Sequence, residues 1–212
     1  MSTSRGDSME NISKNRQLFL DEYDISELNL AQAKQISSDG IQIVEKAGTF
    51  EECDAMITNS SGVFLSILTA DCSPILLWSN VAPVVAAVHS GWQGSELDLL
   101  GKTIEKLLNS FAISTDSLNM VIGPGLSQEN FEVGPEFTDK FPDNYLKAQS
   151  NSPRYQFDNN SYLRDVAISR GVPKTQIEVL DYCSFRDEEL FFSHRRDKNV
   201  TGRMMSVIGM KK

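Results

Sequence analysis

The run Val84-Val85-Ala86-Ala87-Val88 does most to narrow what this chain can build. Five consecutive apolar residues leave no polar face, so the segment reads as a strand covered on both sides. It stops abruptly at His89-Ser90-Gly91. A second apolar run, Val63-Phe64-Leu65-Ser66-Ile67-Leu68, stops as abruptly at Thr69-Ala70-Asp71-Cys72. Strands covered on both faces need a layer on each side, which requires packed sheets and helices.

Shorter strands are expected at 41–44, 54–58, 74–78, 120–122, 177–180 and 204–208. Helices are expected at 11–23, 96–111 and 162–170. The second carries an apolar stripe of Leu97, Leu100, Ile104, Leu107, Leu108 and Phe111, one face of a helix. Residues 91–94 and 123–125 read as turns, and 139–155, with Pro, Asp, Asn and Ser, as a loop. Strands and helices intersperse without a strict βαβ rhythm. No Gly-rich dinucleotide or P-loop fingerprint follows a strand. The expected fold is α+β, a single domain of mixed β-sheets flanked by helices, over residues 11–212, preceded by a polar, disordered tail at 1–10.

The net charge is -9, from 20 basic and 29 acidic residues. Such a chain repels nucleic acid and anionic membranes at long range. Three cysteines do not make a disulfide framework. No apolar run reaches the roughly 20 residues of a membrane helix, and no apolar leader is visible. The expected setting is cytoplasmic, with neither nucleic acid nor membrane as partner.

Chemistry-bearing residues gather at strand ends. Cys72 follows one apolar run and His89 the other. Together they suit either a zinc or copper ion or a thiol nucleophile served by an imidazole. Taken singly, each is as easily a core residue. The basic cluster His194-Arg195-Arg196, with Lys198 and Arg203 behind it, suits phosphate because guanidinium offers a planar fork. A solvated charged loop is the bland alternative. Trp92 suits either base stacking or core packing. Cys53 and Cys183 read as structural.

Taken in order, these segments resemble a known family. They are Thr69-Ala70-Asp71-Cys72-Ser73-Pro74-Ile75-Leu76-Leu77, Ala86-Ala87-Val88-His89-Ser90-Gly91-Trp92, Ile122-Gly123-Pro124, Phe192-Ser193-His194-Arg195-Arg196-Asp197 and Thr201-Gly202-Arg203. The set is similar to the laccase-domain proteins, once called polyphenol oxidases and now regarded as purine nucleoside phosphorylases that also deaminate adenosine. The resemblance covers roughly residues 10 to 210. It implies a fold like that of a toxin deamidase with a Cys–His pair. It implies Cys72 and His89 as catalytic residues and as ligands of zinc or copper, and Arg195, Arg196 and Gln93 as substrate-binding residues. The implied partners are a purine nucleoside and phosphate.

The chain departs from the family pattern. Ser37, in Gln35-Ile36-Ser37-Ser38, stands where the family's third ligand, a histidine, is expected. Gln93 replaces an arginine and Gly125 a cysteine. Two strong protein ligands hold zinc more weakly than three. Three functional readings follow. The chain is a phosphorylase or deaminase acting on adenosine, inosine or methylthioadenosine, with an incomplete metal site. Or it binds nucleosides without turnover. Or it is a Cys–His hydrolase or amidase of peptidoglycan-editing type.

Overall fold

The computed structural model describes residues 8–198 and 201–212. In chain order the helices are α1 (Met9–Asp21), α2 (Trp92–Glu96), α3 (Leu99–Phe111), α4 (Asn159–Ser169) and α5 (His194–Asp197). The strands are β1 (Leu30–Ala33), β2 (Ile41–Ile43), β3 (Gly48–Phe50), β4 (Ala55–Thr58), β5 (Phe64–Thr69), β6 (Ser73–Ser79) and β7 (Val85–Ser90). They continue with β8 (Leu118–Ile122), β9 (Glu132–Val133), β10 (Leu146–Ala148), β11 (Tyr155–Phe157), β12 (Ile177–Val179) and β13 (Met204–Gly209).

Three sheets form. The largest has the order β12-β8-β6-β7-β4-β2, the second β13-β5-β1-β3 and the smallest β10-β11-β9. The two larger sheets are mixed: β2 runs parallel to β4 and β12 to β8, whereas β6 runs antiparallel to both β7 and β8. The α+β, mixed-sheet expectation holds.

The doubly covered run explains the layering. Val85 and Ala87 pack with Met56, Leu65 and Ile67 between the two larger sheets. Ala86 and Val88, on the opposite face of β7, pack with Ile75, Leu77, Ile104, Leu107 and Leu163 under α3 and α4. Successive residues of a strand point to opposite faces, so an unbroken apolar run is what a middle strand needs. Outside the second sheet, Leu20 of α1 packs on Leu30, Phe64 and Met205. Under the small sheet, Phe131, Phe137, Phe141 and Phe157 make a separate aromatic cluster.

Several boundaries move. The polar tail does not reach residue 10: Ser8 caps α1, its hydroxyl accepting the Asn11 N–H, and Met9 and Glu10 form the first turn. The remainder of that tail, residues 1–7, lies outside the described residues. The expected turn at 91–94 is largely helical, because α2 starts at Trp92. Asp98, left-handed at φ 57°, then breaks what read as one helix from residue 96, and α3 starts at Leu99. The expected loop at 139–155 contains β10, which pairs with β11 in a hairpin. A three-residue strand is too short to show a period.

Candidate active site

Three neighbouring strands bring their ends together at one place. Cys72 immediately precedes β6, His89 is the penultimate residue of β7, and Asp54 immediately precedes β4. Antiparallel pairing sets Pro74 opposite His89 and Ala55 opposite Val88. The His89 N–H donates to the Asp54 carbonyl (2.7 Å).

The side chains continue this pairing. His89 Nδ1 lies 2.8 Å from Asp54 Oδ1, with His89 7% exposed and Asp54 fully buried. Asp54 is held by a short loop before β2. Oδ1 also accepts the Ser37 N–H (3.0 Å), and Oδ2 accepts the N–H of Ile36 (3.3 Å), the N–H of Ser38 (2.6 Å) and the Ser38 hydroxyl (2.8 Å). A buried carboxylate needs such saturation. Burial favours the neutral acid, but the hydrogen bonds from His89 and Ser38 outweigh it and hold the Asp54 carboxyl below its usual range.

With Nδ1 engaged, Nε2 is the nitrogen left for Cys72. Burial disfavours the imidazolium. Coulombic interaction and hydrogen bonding with Cys72 and Asp54 oppose that and raise the His89 pKa to about 9.

The turn that carries Cys72 is held from outside. Asp71 has φ 88°, a left-handed conformation uncommon for a residue with a side chain. Its carboxylate accepts the Ser184 hydroxyl (2.8 Å) and the Arg195 N–H (2.7 Å), and its carbonyl accepts the Leu126 N–H (3.0 Å). These bonds offset the strain. Across the turn, a Cβ built on Gly91 would lie 2.8 Å from Cys72 Sγ, so only glycine leaves room for the sulfur.

Cys72 and His89 open into a pocket of about 680 Å³. Gln93, Trp92 and Phe131 line it, as do Arg195, Arg203 and His194. Ser37 lines it too. The neighbouring Gln35 pins that loop with a two-way amide bond: Nε2 donates to the Leu68 carbonyl and Oε1 accepts the Leu68 N–H, both 2.7 Å.

The two arginines of the basic cluster divide. Arg195 reaches the pocket wall, donating to the Glu132 carbonyl (2.8 Å) over the Phe131 ring. Arg196 lies outside the pocket lining. Its guanidinium bonds Asp197 and the carbonyls of Ser184 (2.9 Å), Phe185 (3.1 Å) and Phe191 (2.9 Å). These bonds knit two loops together. Trp92 has a double character, lining the pocket while its ring packs on Phe137.

The side chains present do not fit a three-ligand protein metal site. Among the described residues no group of three His, Cys, Asp or Glu is placed to hold an ion. Asp54 has both oxygens committed, and Ser37 offers only a neutral hydroxyl. What the cluster presents is a thiol, an imidazole facing it, and a buried carboxylate fixing the imidazole. Sequence alone does not single out Asp54, because the strand expected at 54–58 contains it. Its signal was the same as that of Cys72 and His89, a polar side chain where an apolar run begins or ends.

Fold and cluster together define a mixed-sheet α+β protein with a thiol–imidazole–carboxylate site at the ends of adjacent strands. The chain belongs to the family described as multi-copper polyphenol oxidoreductase laccase, whose model matches residues 1–211. It is 31% identical over 163 residues to the purine nucleoside phosphorylase YlmD of Bacillus subtilis strain 168, covering 74% of this chain and 59% of that protein. It is 35% identical over 174 residues to a purine nucleoside phosphorylase of Deinococcus radiodurans, covering 81% and 67%. Among solved structures, the hypothetical protein YfiH of Bacillus licheniformis superimposes with a TM-score of 0.94 at 26% identity, covering 99% of this chain and 85% of that one. YlmD of Geobacillus stearothermophilus gives 0.93 at 27% identity, covering 100% and 84%. No described helix is long and apolar enough to cross a membrane.

Proposed function

We propose that this chain is a purine nucleoside phosphorylase-type enzyme working from the Cys72–His89–Asp54 cluster. A phosphate oxygen attacks C1′ of the bound nucleoside and the C1′–N9 bond breaks. Its electron pair leaves with the purine, which takes up a proton, and ribose 1-phosphate forms. The observation that carries this reading is the buried His89, paired with Asp54 and open to a pocket of nucleoside size, in a chain whose relatives bear that name. An imidazole with a pKa of about 9 carries a proton at neutral pH and holds it at Nε2 for the departing base. Arg195 and Arg203 suit phosphate, Gln93 supplies a neutral hydrogen-bonding amide, and Trp92 and Phe131 supply aromatic walls.

The test incubates the protein with adenosine, inosine and methylthioadenosine, with and without phosphate, and separates the products by liquid chromatography. Cys72→Ala and His89→Ala variants run alongside. The expected result is phosphate-dependent free base that disappears in both variants. Ammonia from adenosine would add deamination. No product from any nucleoside overturns the reading.

A second reading is favoured by the alignment of thiol, imidazole and carboxylate, which is the order of a nucleophile, its base and the group that orients the base. In it Cys72 attacks an amide or ester carbonyl, His89 gives its proton to the leaving group, and water releases the thioester. Mass spectrometry after p-nitrophenyl acetate tests it. An acetyl group on Cys72 supports a thiol hydrolase, and its absence counts against one.

A further inference from the structure

Behind the strand ends, on the face away from the pocket, lies a buried polar cluster that the chemistry above does not use. Ser73 follows Cys72, Ser90 follows His89, and the two serines pair across β6 and β7. Their side chains fall on the helix-facing side, where Ile75, Leu77, Ala86 and Val88 are wholly apolar. At this pair, beside Cys72 and His89, the face turns polar.

Asn159, the first residue of α4 and 2% exposed, joins them. Its Nδ2 donates to Ser73 Oγ (3.2 Å) and to the Ser90 carbonyl (3.4 Å), and its Oδ1 accepts the Ser95 hydroxyl (2.6 Å). Ser95 Oγ lies 3.1 Å from Ser90 Oγ, and Ser73 Oγ donates to Asn160 Oδ1 (2.7 Å). Ser73, Ser90 and Ser95 are each no more than 1% exposed. One amide thus ties both strand ends to each other and, through Ser95, to α2.

We propose that Asn159 is a positioning residue for the Cys72–His89 pair, fixing the offset between the two strand ends from behind. Burying four polar side chains where the adjoining layers are hydrophobic gains little from packing, and a fully bonded polar network specifies geometry instead. The geometry has little slack, because Cys72 Sγ already fills the space a Gly91 side chain would take. A misplacement of about 1 Å between reacting groups costs on the order of a hundredfold in turnover.

The test uses Asn159→Ala and Ser95→Ala, with Thr103→Val as control. The Thr103 hydroxyl is equally buried and bonds the Leu99 carbonyl (2.7 Å), touching neither strand end. Two readouts are taken at a temperature where every variant is folded by circular dichroism. One is iodoacetamide alkylation of Cys72, followed by peptide mass spectrometry in chelator-containing buffer at pH 7. The other is kcat and KM for inosine with phosphate. The turnover arm rests on the phosphorylase reading and the alkylation arm does not, so wild-type protein without turnover leaves alkylation to decide.

The expected result is that both variants change the alkylation rate several-fold and lower kcat at least about tenfold. KM stays within about threefold of wild type. Thr103→Val changes neither quantity, and Ser95→Thr, which keeps the hydroxyl, restores both. If Asn159→Ala fails to fold, Ser95→Ala carries the test. Alkylation of folded Ser95→Ala that matches Thr103→Val overturns the proposal.

Discussion

His89 Nδ1 and Asp54 Oδ1 lie 2.8 Å apart with both side chains buried, and this contact, together with Cys72, sets how the site responds to pH. The folded His89 pKa, about 9, lies above its ordinary value of 6.5. The stability it contributes is therefore fully present below pH 6.5 and is lost as pH rises through 9. Asp54 is shifted the other way, so its contribution is present above its ordinary value of 3.8 and is lost as pH falls further. Urea midpoints should hold steady between these limits and decline towards pH 9. In His89→Asn the alkaline decline should flatten. An unchanged decline in that variant would mean another group causes it.

Asp54→Asn should be costly, because it removes one partner of a buried charged pair and turns an amide towards N–H groups that need an acceptor. A loss of about 3 kcal/mol is expected in urea unfolding. The His89 pKa should drop, since burial is then opposed by less negative charge. Titration of the imidazole protons by NMR reads this, and a pKa still near 9 would contradict the assigned cause.

Gly91→Ala should press its methyl group onto Cys72 Sγ, at 2.8 Å. Overpacking of this kind costs about 1–3 kcal/mol. The cost should largely vanish in Gly91→Ala with Cys72→Ala, where the sulfur is gone. A double-mutant cycle measures the coupling, and additive losses would argue against the contact.

The two neighbouring arginines should fail differently. Arg196→Ala breaks bonds to three carbonyls and a carboxylate, so a stability loss of about 2–3 kcal/mol is expected. Arg195→Ala should leave stability nearly unchanged and raise the KM for phosphate about tenfold or more. Thermal melts and phosphate titrations separate the two, and an unaltered phosphate KM would remove Arg195 from the binding site.

Ser37→His should turn a two-donor pocket into a three-donor one. Ser37 lines the pocket, and only its N–H is tied to Asp54, which any residue can provide. Its φ of 61° is one that histidine tolerates better than most residues. Zinc affinity by calorimetry should rise at least about a hundredfold over wild type. Tight, stoichiometric zinc in the unaltered protein would show that Cys72 and His89 find a third ligand.

What depends on neighbours along the chain is legible in the amino-acid order. The apolar run ending at Val88 required a strand between two layers. The stripe from Leu100 to Phe111 required a helix on one of them. The abrupt ends of two runs pointed to Cys72 and His89. How distant segments meet emerges only on packing. Asp54 reaches His89 across 35 positions, Asp71 reaches the Arg195 N–H across 124, and Asn159 reaches Ser73 across 86. The sequence also left Arg195 and Arg196 as equals, although one faces the pocket and the other the loops. Periodicity tells which face of a strand or helix is apolar. Which polar group a side chain meets depends on the register between strands and on loops that carry no period, and both are set only when the sheets and helices pack.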